Sequence, residues 1–350
     1  MTIAVLGAGN SGLAMSAHLS QLGCDVNLWN RTRHNIEKLI RTKTIFCEGL
    51  KENSVRINLI TDDIDEALKD VDIIMVTTPA YSFFDIGCLI AAKIKENVPI
   101  ILNPGRTFGA MRLERIIKEH SSLNSVSIAE TQTILYTCRK YDEDRVKVFS
   151  LKRDVRIASK KMETVNSILE KLPYEFRNRF EIEESLAKTT LSNVGMVLHC
   201  APLLLNSGWT ENRDNSYKYY YDGITPTIGA FIEKIDDERV SVAKRLGYDI
   251  ETTKAWMERS YGIKGKTLYE CIRNNEAYKK IDAPDSLDHR YITEDIPFGL
   301  VQIEKIGKLI NVETRTITLV IDLAEQLFNA DYRKAADWLD EDVVKEIRIM

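Results

Sequence analysis

The stretch TIAVLGAGNSGLAMSAHLSQLG, residues 2–23, decides the fold of the first half of the chain. A short apolar run leads into three glycines, Gly7, Gly9 and Gly12, and a helical pattern follows them. In such a turn the first glycine permits the tight bend, the second lets a pyrophosphate approach the backbone, and the third lets the helix pack on its strand. The first amides of the helix then attract the phosphates.

This glycine motif has the sequence context that makes it specific. A predicted strand precedes it, a helix follows it, and a second predicted strand, DVNLW at 25–29, comes next. A glycine-rich turn without a ligand does not explain three glycines at this spacing in this context. The motif therefore predicts a dinucleotide-binding site, and the residues expected in it are Gly7, Gly9, Asn10, Ser11 and Gly12.

Strands and helices continue to alternate after the motif. The segments VDIIMVTTPA (71–80) and PIILNPG (99–105) are typical of buried strands, and each is followed by a helical pattern. This alternation predicts an α/β fold that begins with a Rossmann-type, doubly wound parallel sheet. Ligands of such sheets lie beyond the carboxyl ends of the strands. The residues expected to line the cofactor site there are Thr78, Pro79, Asn103, Pro104, Gly105 and Arg106, although an ordinary turn explains the NPG segment equally well.

The end of the second strand predicts which nicotinamide cofactor binds. A carboxylate there holds the ribose of NAD, whereas a basic residue accommodates the 2′-phosphate of NADP. The segment LWNRTRHN (28–35) has no carboxylate. Asn30 can donate to an anion, Arg31 can pair with a phosphate, and Thr32 adds a hydroxyl. We therefore expect NADP(H) to be preferred over NAD(H), with Arg33 contributing less; the alternative is a solvated basic turn that opens the next helix.

The composition of the 350 residues limits the possible functions. With 44% hydrophobic and 29% charged residues, the chain is typical of a globular protein of two domains. The net charge of −4 argues against nucleic acid as a partner. No apolar run is long enough to span a bilayer and no signal peptide is recognisable, so a cytoplasmic protein with no membrane partner is expected. Six scattered cysteines favour thiols over a disulfide or zinc framework, and no metal is expected.

The character of the chain changes near Glu181, where the alternation stops and helical periodicity dominates. The boundary is expected at 178–184, which gives a dinucleotide-binding domain at 1–180 and a mostly helical substrate and catalytic domain at 181–350. One long helix is expected to start at this boundary and to carry His199 on the wall of a cleft between the domains.

His199 lies in LSNVGMVLHCAP (191–202), whose other residues are mostly apolar. A histidine there is either a hydrogen-bonded core residue or an acid–base group, because its side chain titrates near neutrality. The adjacent Cys200 is expected to pack in the core rather than to act as a nucleophile.

A second polar cluster lies in DSLDHRYITEDIPFGL (285–300), which is too irregular for a helix. It predicts a docking loop that carries Arg290, Glu294 and Asp295. A capping loop, whose acidic residues favour the dipole of the following helix, explains the same segment equally well.

Four segments resemble the opine dehydrogenases, the group of octopine, nopaline and N-(1-carboxyethyl)-norvaline dehydrogenases. These segments are NVGMVLHCAPLLLNSG (193–208), RYITEDIPFGL (290–300), AETQTILYTCR (129–139) and YYDGITPTIGAFIEKIDDERVSVAKRLG (220–247). The resemblance implies an enzyme that condenses the amine of an α-amino acid with an α-keto acid such as pyruvate. It implies that reduced nicotinamide drives the reaction, with an imine as the species that is reduced by hydride transfer.

The same resemblance implies the catalytic residues. The histidine of the family falls on His199, its partner carboxylate on Asp295, and the arginine of the loop on Arg290. One departure concerns Gly195, where a second asparagine often stands in the family; Asn193 remains.

The chemistry of this reaction needs an acid–base group and cationic partners for two carboxylates. Tyr221 and Thr225, in the segment around YYYDGITPT, are expected near the amino acid, and aromatic packing explains the tyrosines equally well. The expected substrate-binding residues are thus Arg290, Asn193, Tyr221 and Thr225. The chain is expected to form a homodimer. Its expected small-molecule partners are an amino acid (or amine) and a 2-keto acid.

Two alternatives stay open at this point. A dehydrogenase of the ketopantoate or glycerol-3-phosphate type would use a catalytic lysine on the helix of His199, for which Lys188 is the candidate. A non-catalytic NADP-binding sensor would keep the glycines but would need no His–Asp pair.

Overall fold

The computed structural model describes residues 1–212, 214 and 216–348. The chain separates into two compact units, Met1–Thr190 and Leu191–Met350. The sequence placed the boundary earlier, at 178–184. Thr190 is bound within the first unit: its hydroxyl donates to the carbonyl of Arg106 at 2.7 Å and accepts from the backbone N–H of Phe108 at 2.5 Å. The predicted domain boundary stays a prediction.

A parallel sheet forms the centre of the first unit. Its strand order is β12-β11-β8-β7-β6-β1-β2-β5, and only the β11–β8 pair within it is antiparallel among the described residues. The predicted Rossmann-type sheet is confirmed. The strands of this sheet are β1 Thr2–Leu6, β2 Asp25–Trp29, β5 Leu59–Thr61, β6 Ile73–Val76, β7 Ile100–Leu102, β8 Ile128–Thr131, β11 Val155–Ser159 and β12 Phe180–Ile182.

A second, smaller sheet belongs to the same unit, with the order β4-β3-β10-β9. It contains the antiparallel hairpin β9–β10. The hairpin strand β9 contacts helix α1, so the second sheet lies against the helix that follows the glycine motif. Its strands are β3 Thr44–Glu48, β4 Ser54–Arg56, β9 Tyr136–Asp142 and β10 Arg145–Leu151.

The central strands are apolar because helices cover both faces of a parallel sheet. Ile3, Val5, Ile73 and Met75 are fully buried, and they pack with Leu13 of α1 in one core. The helices of the first unit are α1 Asn10–Gln21, α2 Glu37–Thr42, α3 Ile64–Ala67, α4 Phe83–Lys93, α5 Gly109–His120, α6 Met162–Lys171, α7 Tyr174–Arg177 and α8 Leu186–Leu191.

The second unit is built from helices. They are α9 Gly195–Leu205, α10 Ser207–Glu211, α11 Pro226–Leu246, α12 Thr253–Tyr261, α13 Leu268–Asn274, α14 Arg290–Thr293, α15 Val301–Leu309, α16 Arg315–Phe328 and α17 Glu341–Arg348. Within the described part of the chain, none is long and apolar enough to cross a membrane.

The predicted single long helix through His199 is wrong, because the chain breaks between α8 and α9. At the break, Oδ1 of Asn193 accepts from the backbone N–H of Gly195 at 2.9 Å. A short polar side chain that bonds to the backbone two residues later competes with helical hydrogen bonds. Helix α9 therefore begins afresh at Gly195, and His199 lies in its second turn.

Candidate active site

The glycine turn of the first unit has the geometry of a phosphate-binding turn. Gly7 has φ +112°, which side chains rarely adopt, and a Cβ on Gly12 would lie 1.7 Å from the carbonyl oxygen of Gly7. A Cβ on Gly9 would meet nothing within 4 Å, so the backbone there is open. Helix α1 begins at Asn10 with no side-chain cap and no acidic residue in its first turn. Its first amides are therefore suited to a pyrophosphate, and a dinucleotide fits this turn.

A cavity of about 570 Å³ borders this turn. Asn30 lines this cavity. Its side-chain Oδ1 accepts from the backbone N–H of Ala8 at 3.2 Å, and its Nδ2 donates to the carbonyl of Thr32 at 2.9 Å. The sequence predicted Gly9, Asn10 and Asn30 in this lining. It missed Ala8 of the glycine turn, two residues after β2 and two residues of the distant β9–β10 hairpin. The lining residues are Ala8, Gly9, Asn10, Asn30, His34, Asn35, Lys140 and Glu143.

The basic residues of the turn after β2 do not line this cavity. Arg31 pairs with Asp85 on α4 at 3.0 Å, and Arg33 pairs with Asp62 at 2.6 Å. Both arginines are more than half exposed, and Thr32 is exposed as well. Asn30 thus lines the cavity while both arginines pair with aspartates, and the contact of Asn30, Arg31 and Thr32 with a cofactor stays a prediction.

The loops after β6 and β7 lie at the predicted edge of the sheet. Thr78 accepts a hydrogen bond from Ser82 at 2.8 Å, and Pro79 precedes a single helical turn. The peptide bond between Asn103 and Pro104 is cis. Thr78 lies against the glycine turn, since a Cβ on Gly7 would lie 2.9 Å from its methyl carbon. The contact of Thr78, Pro79 and Pro104 with a cofactor stays a prediction.

Glu130, at the end of β8, is a buried carboxyl that the sequence did not single out. A Cβ on Gly105 would lie 2.2 Å from its Oε2, so the loop packs directly on this side chain. Oε2 accepts from the backbone N–H of Ala110 at the start of α5 at 2.8 Å, while Oε1 has no partner among the described residues. Desolvation on burial raises the pKa of Glu130 to about 8, and the hydrogen bond from Ala110 offsets it only in part.

His199 meets Asp295 in the second unit. Nδ1 of the imidazole lies 2.8 Å from Oδ2 of Asp295, whose side chain is almost fully buried, while 19% of the His199 side chain is exposed. Nε2 lies 3.1 Å from the hydroxyl of Tyr220, and the ring of Tyr291 stacks on the imidazole at 3.8 Å. The hydroxyl of Tyr219 donates to the backbone carbonyl of His199 at 2.6 Å. This histidine is therefore hydrogen-bonded and partly open, with the geometry of an acid–base group.

The segment that carries Asp295, predicted as an irregular loop, instead forms the short helix α14 and one turn of π-helix, and close packing holds it in place. One turn of π-helix, Ile296–Leu300, follows Asp295 directly. A Cβ on Gly299 would lie 2.9 Å from Cβ of Met196, so only a glycine lets this turn approach α9 so closely. The wide turn and the glycine together bring the carboxylate to the imidazole. Asp295 is the N-cap residue of this turn but makes no side-chain cap bond to it.

Arg290 and Asn193 lie beside this pair in the sequence and in the fold. The guanidinium of Arg290 is 44% exposed and bonds to Oε2 of the buried Glu294 at 2.9 Å. Asn193 is mostly buried, with its Oδ1 engaged by Gly195. A Cβ on Gly195 would lie 3.5 Å from the imidazole, so the glycine leaves only ordinary contact distance beside the ring.

Tyr221 and Thr225, predicted near the amino acid, have other partners. The hydroxyl of Tyr221 donates to the carbonyl of Arg273 at 2.5 Å, and that guanidinium lies 4.3 Å from its ring centre. Thr225 caps helix α11 by accepting from the N–H of Ile228 at 3.3 Å. Their contact with substrate stays a prediction. Among the three consecutive tyrosines at 219–221, Tyr220 is the one whose hydroxyl contacts the His199 ring. The sequence alone did not indicate which of the three would do so.

Lys188, the candidate base of the simple dehydrogenases, lies on α8 rather than on the helix of His199. Cys200 is fully buried, as expected of a packing residue. All six cysteines lie within the described residues, and none forms a disulfide.

Comparison with known proteins finds relatives over nearly the whole chain. Residues 182–328 match the family model of the NAD/NADP octopine/nopaline dehydrogenase alpha-helical domain, and residues 2–128 match that of the NAD-dependent glycerol-3-phosphate dehydrogenase N-terminus. The chain is 35% identical over 341 residues to an opine dehydrogenase of Arthrobacter sp. (strain 1C). This match covers 97% of the chain and 94% of the relative.

Solved structures show the same fold. An octopine dehydrogenase bound to NADH and L-arginine has a TM-score of 0.77 at 18% identity, with 94% of this chain and 90% of that chain covered. A yersinopine dehydrogenase bound to NADP+ has a TM-score of 0.76 at 16% identity, with 97% and 93% covered.

Proposed function

Because the chain belongs to the opine dehydrogenase family, and is therefore an NAD(P)-dependent oxidoreductase acting on CH–NH groups, we propose that it joins an α-amino acid to an α-keto acid. The observation that carries this proposal is the His199–Asp295 pair at 2.8 Å, with Arg290 at the start of α14, five residues before Asp295. Pyruvate is the keto acid that we favour. The amine adds to the keto carbon, the carbinolamine loses water, and reduction of the imine leaves a secondary amine with two carboxylates.

His199 is the acid–base group of this sequence. Its Nε2 takes a proton from the ammonium group of the incoming amino acid, the free amine adds to the keto carbon, and the proton that the nitrogen then loses passes to the former carbonyl oxygen. The imidazolium returns its proton to the resulting hydroxyl, which leaves as water and yields the protonated imine. Asp295 accepts a hydrogen bond from Nδ1–H, fixes the ring and stabilises the imidazolium. The nicotinamide, when bound, supplies the hydride that reduces the imine.

Arg290 is the residue that we assign to a substrate carboxylate. A guanidinium has five N–H donors in a planar fork, so the bond to Glu294 leaves others for a ligand. The bond to a buried carboxylate also fixes the orientation of the fork. Asn193, Tyr221 and Thr225 are retained as further substrate contacts.

NADP(H) is the cofactor that we propose. The absence of a carboxylate at Asn30 supports it, because the ribose diol of NAD lacks its usual acceptor there. Lys140 and His34 in the cavity beside Asn30 support it as well. The glycine turn, Thr78, Pro79 and Pro104 are the other cofactor contacts of the proposal.

The test is a matrix of amino acids and amines against pyruvate, glyoxylate and 2-ketoglutarate, followed by NADPH absorbance and mass spectrometry. The expected product is a secondary amine that contains both substrates. A product that is only a 2-hydroxy acid would move the chain to the simple dehydrogenases, and no turnover with any pair would favour the sensor. Replacing Arg290 by Ala should mainly raise the KM of a carboxylated substrate. The cytoplasmic homodimer stays a prediction, which light scattering tests for the oligomeric state.

A further inference from the structure

Lys140 holds a positive charge beside the glycine turn. It lies near the end of β9, and its backbone N–H donates to Oδ1 of Asn10 at 2.7 Å. Its ammonium nitrogen donates to the carbonyl of Ala8 at 3.1 Å. The contact to Ala8 is with the glycine turn, and the contact to Asn10 is with the first residue of α1. The second sheet therefore places the Lys140 side chain in the lining of the cavity.

The charge of Lys140 lacks a close counter-charge. Arg31 and Arg33 each pair with an aspartate, whereas no carboxylate of the described residues lies within ion-pairing distance of Lys140. Desolvation on burial lowers the pKa of Lys140, and the acidic residues of the hairpin tip raise it only in part. A half-buried cation without an ion pair costs free energy, and an anion bound in the cavity would recover it.

We propose that Lys140 binds the 2′-phosphate of NADP(H) and thereby sets the cofactor preference, an inference that rests on the NADP preference proposed above. The cavity connects Asn30, at the ribose end of β2, with Lys140. The amides at the start of α1 are suited to the pyrophosphate. Lys140 is therefore available to bind the 2′-phosphate. The residue that distinguishes the two cofactors then comes from the hairpin and not from the turn after β2.

Glu143 is the carboxylate that also lines this cavity. Its Oε2 accepts from the backbone N–H of Lys38 at 2.9 Å, which commits one oxygen to the start of α2. Glu143 would favour NADH if it received the ribose hydroxyls. The test of Lys140 must therefore distinguish a site in which Lys140 binds the 2′-phosphate from one in which Glu143 accepts the ribose hydroxyls.

The test uses two fragments that differ by one phosphate, adenosine 2′,5′-bisphosphate and adenosine 5′-monophosphate. Their affinities for the full chain are measured by calorimetry with the wild type and with Lys140→Met, which keeps a long apolar side chain and removes the charge. Lys147→Met is the matched control, because Lys147 lies on the same hairpin and pairs with Glu48 away from the cavity.

We expect Lys140→Met to lower the affinity for the bisphosphate about tenfold or more, because the substitution removes a charge-assisted contact. The affinity for the monophosphate should change less than about twofold. Lys147→Met leaves both affinities near those of the wild type. Equal losses for both fragments place Lys140 at the 5′-phosphate and overturn the inference, as does an unchanged bisphosphate affinity. A wild type that binds both fragments equally contradicts the NADP preference itself. A wild type that prefers the bisphosphate even with Lys140→Met contradicts only the role of Lys140.

Discussion

The hydroxyl of Tyr220 lies 3.1 Å from Nε2 of His199, on the side of the ring opposite the bond to Asp295. An ionised carboxylate only accepts, so Nδ1 carries the ring proton and Nε2 offers its lone pair to the Tyr220 hydroxyl. Burial raises the pKa of Tyr220 well above its ordinary value, which keeps the phenol protonated. Both ring nitrogens are thus engaged before any substrate arrives.

The first prediction concerns Tyr220 as a positioning residue. Tyr220→Phe removes the bond to Nε2 and should lower kcat about tenfold, as expected for one hydrogen bond, with little change in KM. The control is Tyr217→Phe, which removes a buried hydroxyl bonded to Thr210 in the same segment. The ¹⁵N resonance of Nε2 should shift in the first variant and not in the second. An unmoved resonance in Tyr220→Phe would show that this contact is absent in solution.

The second prediction tests the acid–base pair. His199→Ala should lower turnover by a factor on the order of hundreds or more, and Asp295→Asn should act in the same direction. The affinity for NADPH, measured by fluorescence titration, should change little because the glycine turn lies in the first unit. Near-normal opine formation by His199→Ala would remove His199 from the mechanism.

The third prediction separates the residues of the turn after β2. Arg31 pairs with Asp85, so Arg31→Ala alone should change the ratio of kcat/KM for NADPH to that for NADH less than about threefold. Asn30→Asp should shift this ratio toward NADH by about tenfold or more, because the new carboxylate accepts from the ribose diol and repels a 2′-phosphate. The double variant should resemble Asn30→Asp. A large effect of Arg31→Ala would instead place Arg31 on the cofactor.

The fourth prediction is a dependence of stability on pH. The pKa of Glu130 is raised from 4.5 to about 8 by desolvation, so the unfolded chain releases its proton at lower pH than the folded one. The contribution to stability is fully present below pH 4.5 and is lost as the pH rises to 8. Glu130→Gln keeps a neutral acceptor for Ala110 and cannot ionise. Its melting temperature should therefore rise relative to the wild type between pH 5 and 8, by an amount that corresponds to at most a few kcal/mol. Parallel pH profiles of the two proteins would show that Glu130 is ionised in the folded state.

The sequence by itself determined the features that depend on local pattern. The glycine spacing requires a tight turn between a strand and a helix, and strand–helix alternation requires a parallel sheet, so both were predictable. The family resemblance supplied His199, Asp295 and Arg290, and the structure places the first two 2.8 Å apart. The catalytic roles of His199 and Asp295 and the substrate-binding role of Arg290 stay predictions.

The tertiary structure decided what depends on contacts between distant segments. Lys140 reaches Asn10 across 130 positions because a hairpin of the second sheet contacts α1, and no local pattern encodes that. The same holds for the choice of Tyr220 over its neighbours, since the direction of each hydroxyl is set by packing. The ion pair of Arg31 with Asp85 is likewise set by the fold, because an exposed cation pairs with whichever carboxylate lies near it. Local periodicity fixes the elements, and the packing between them fixes which side chains meet.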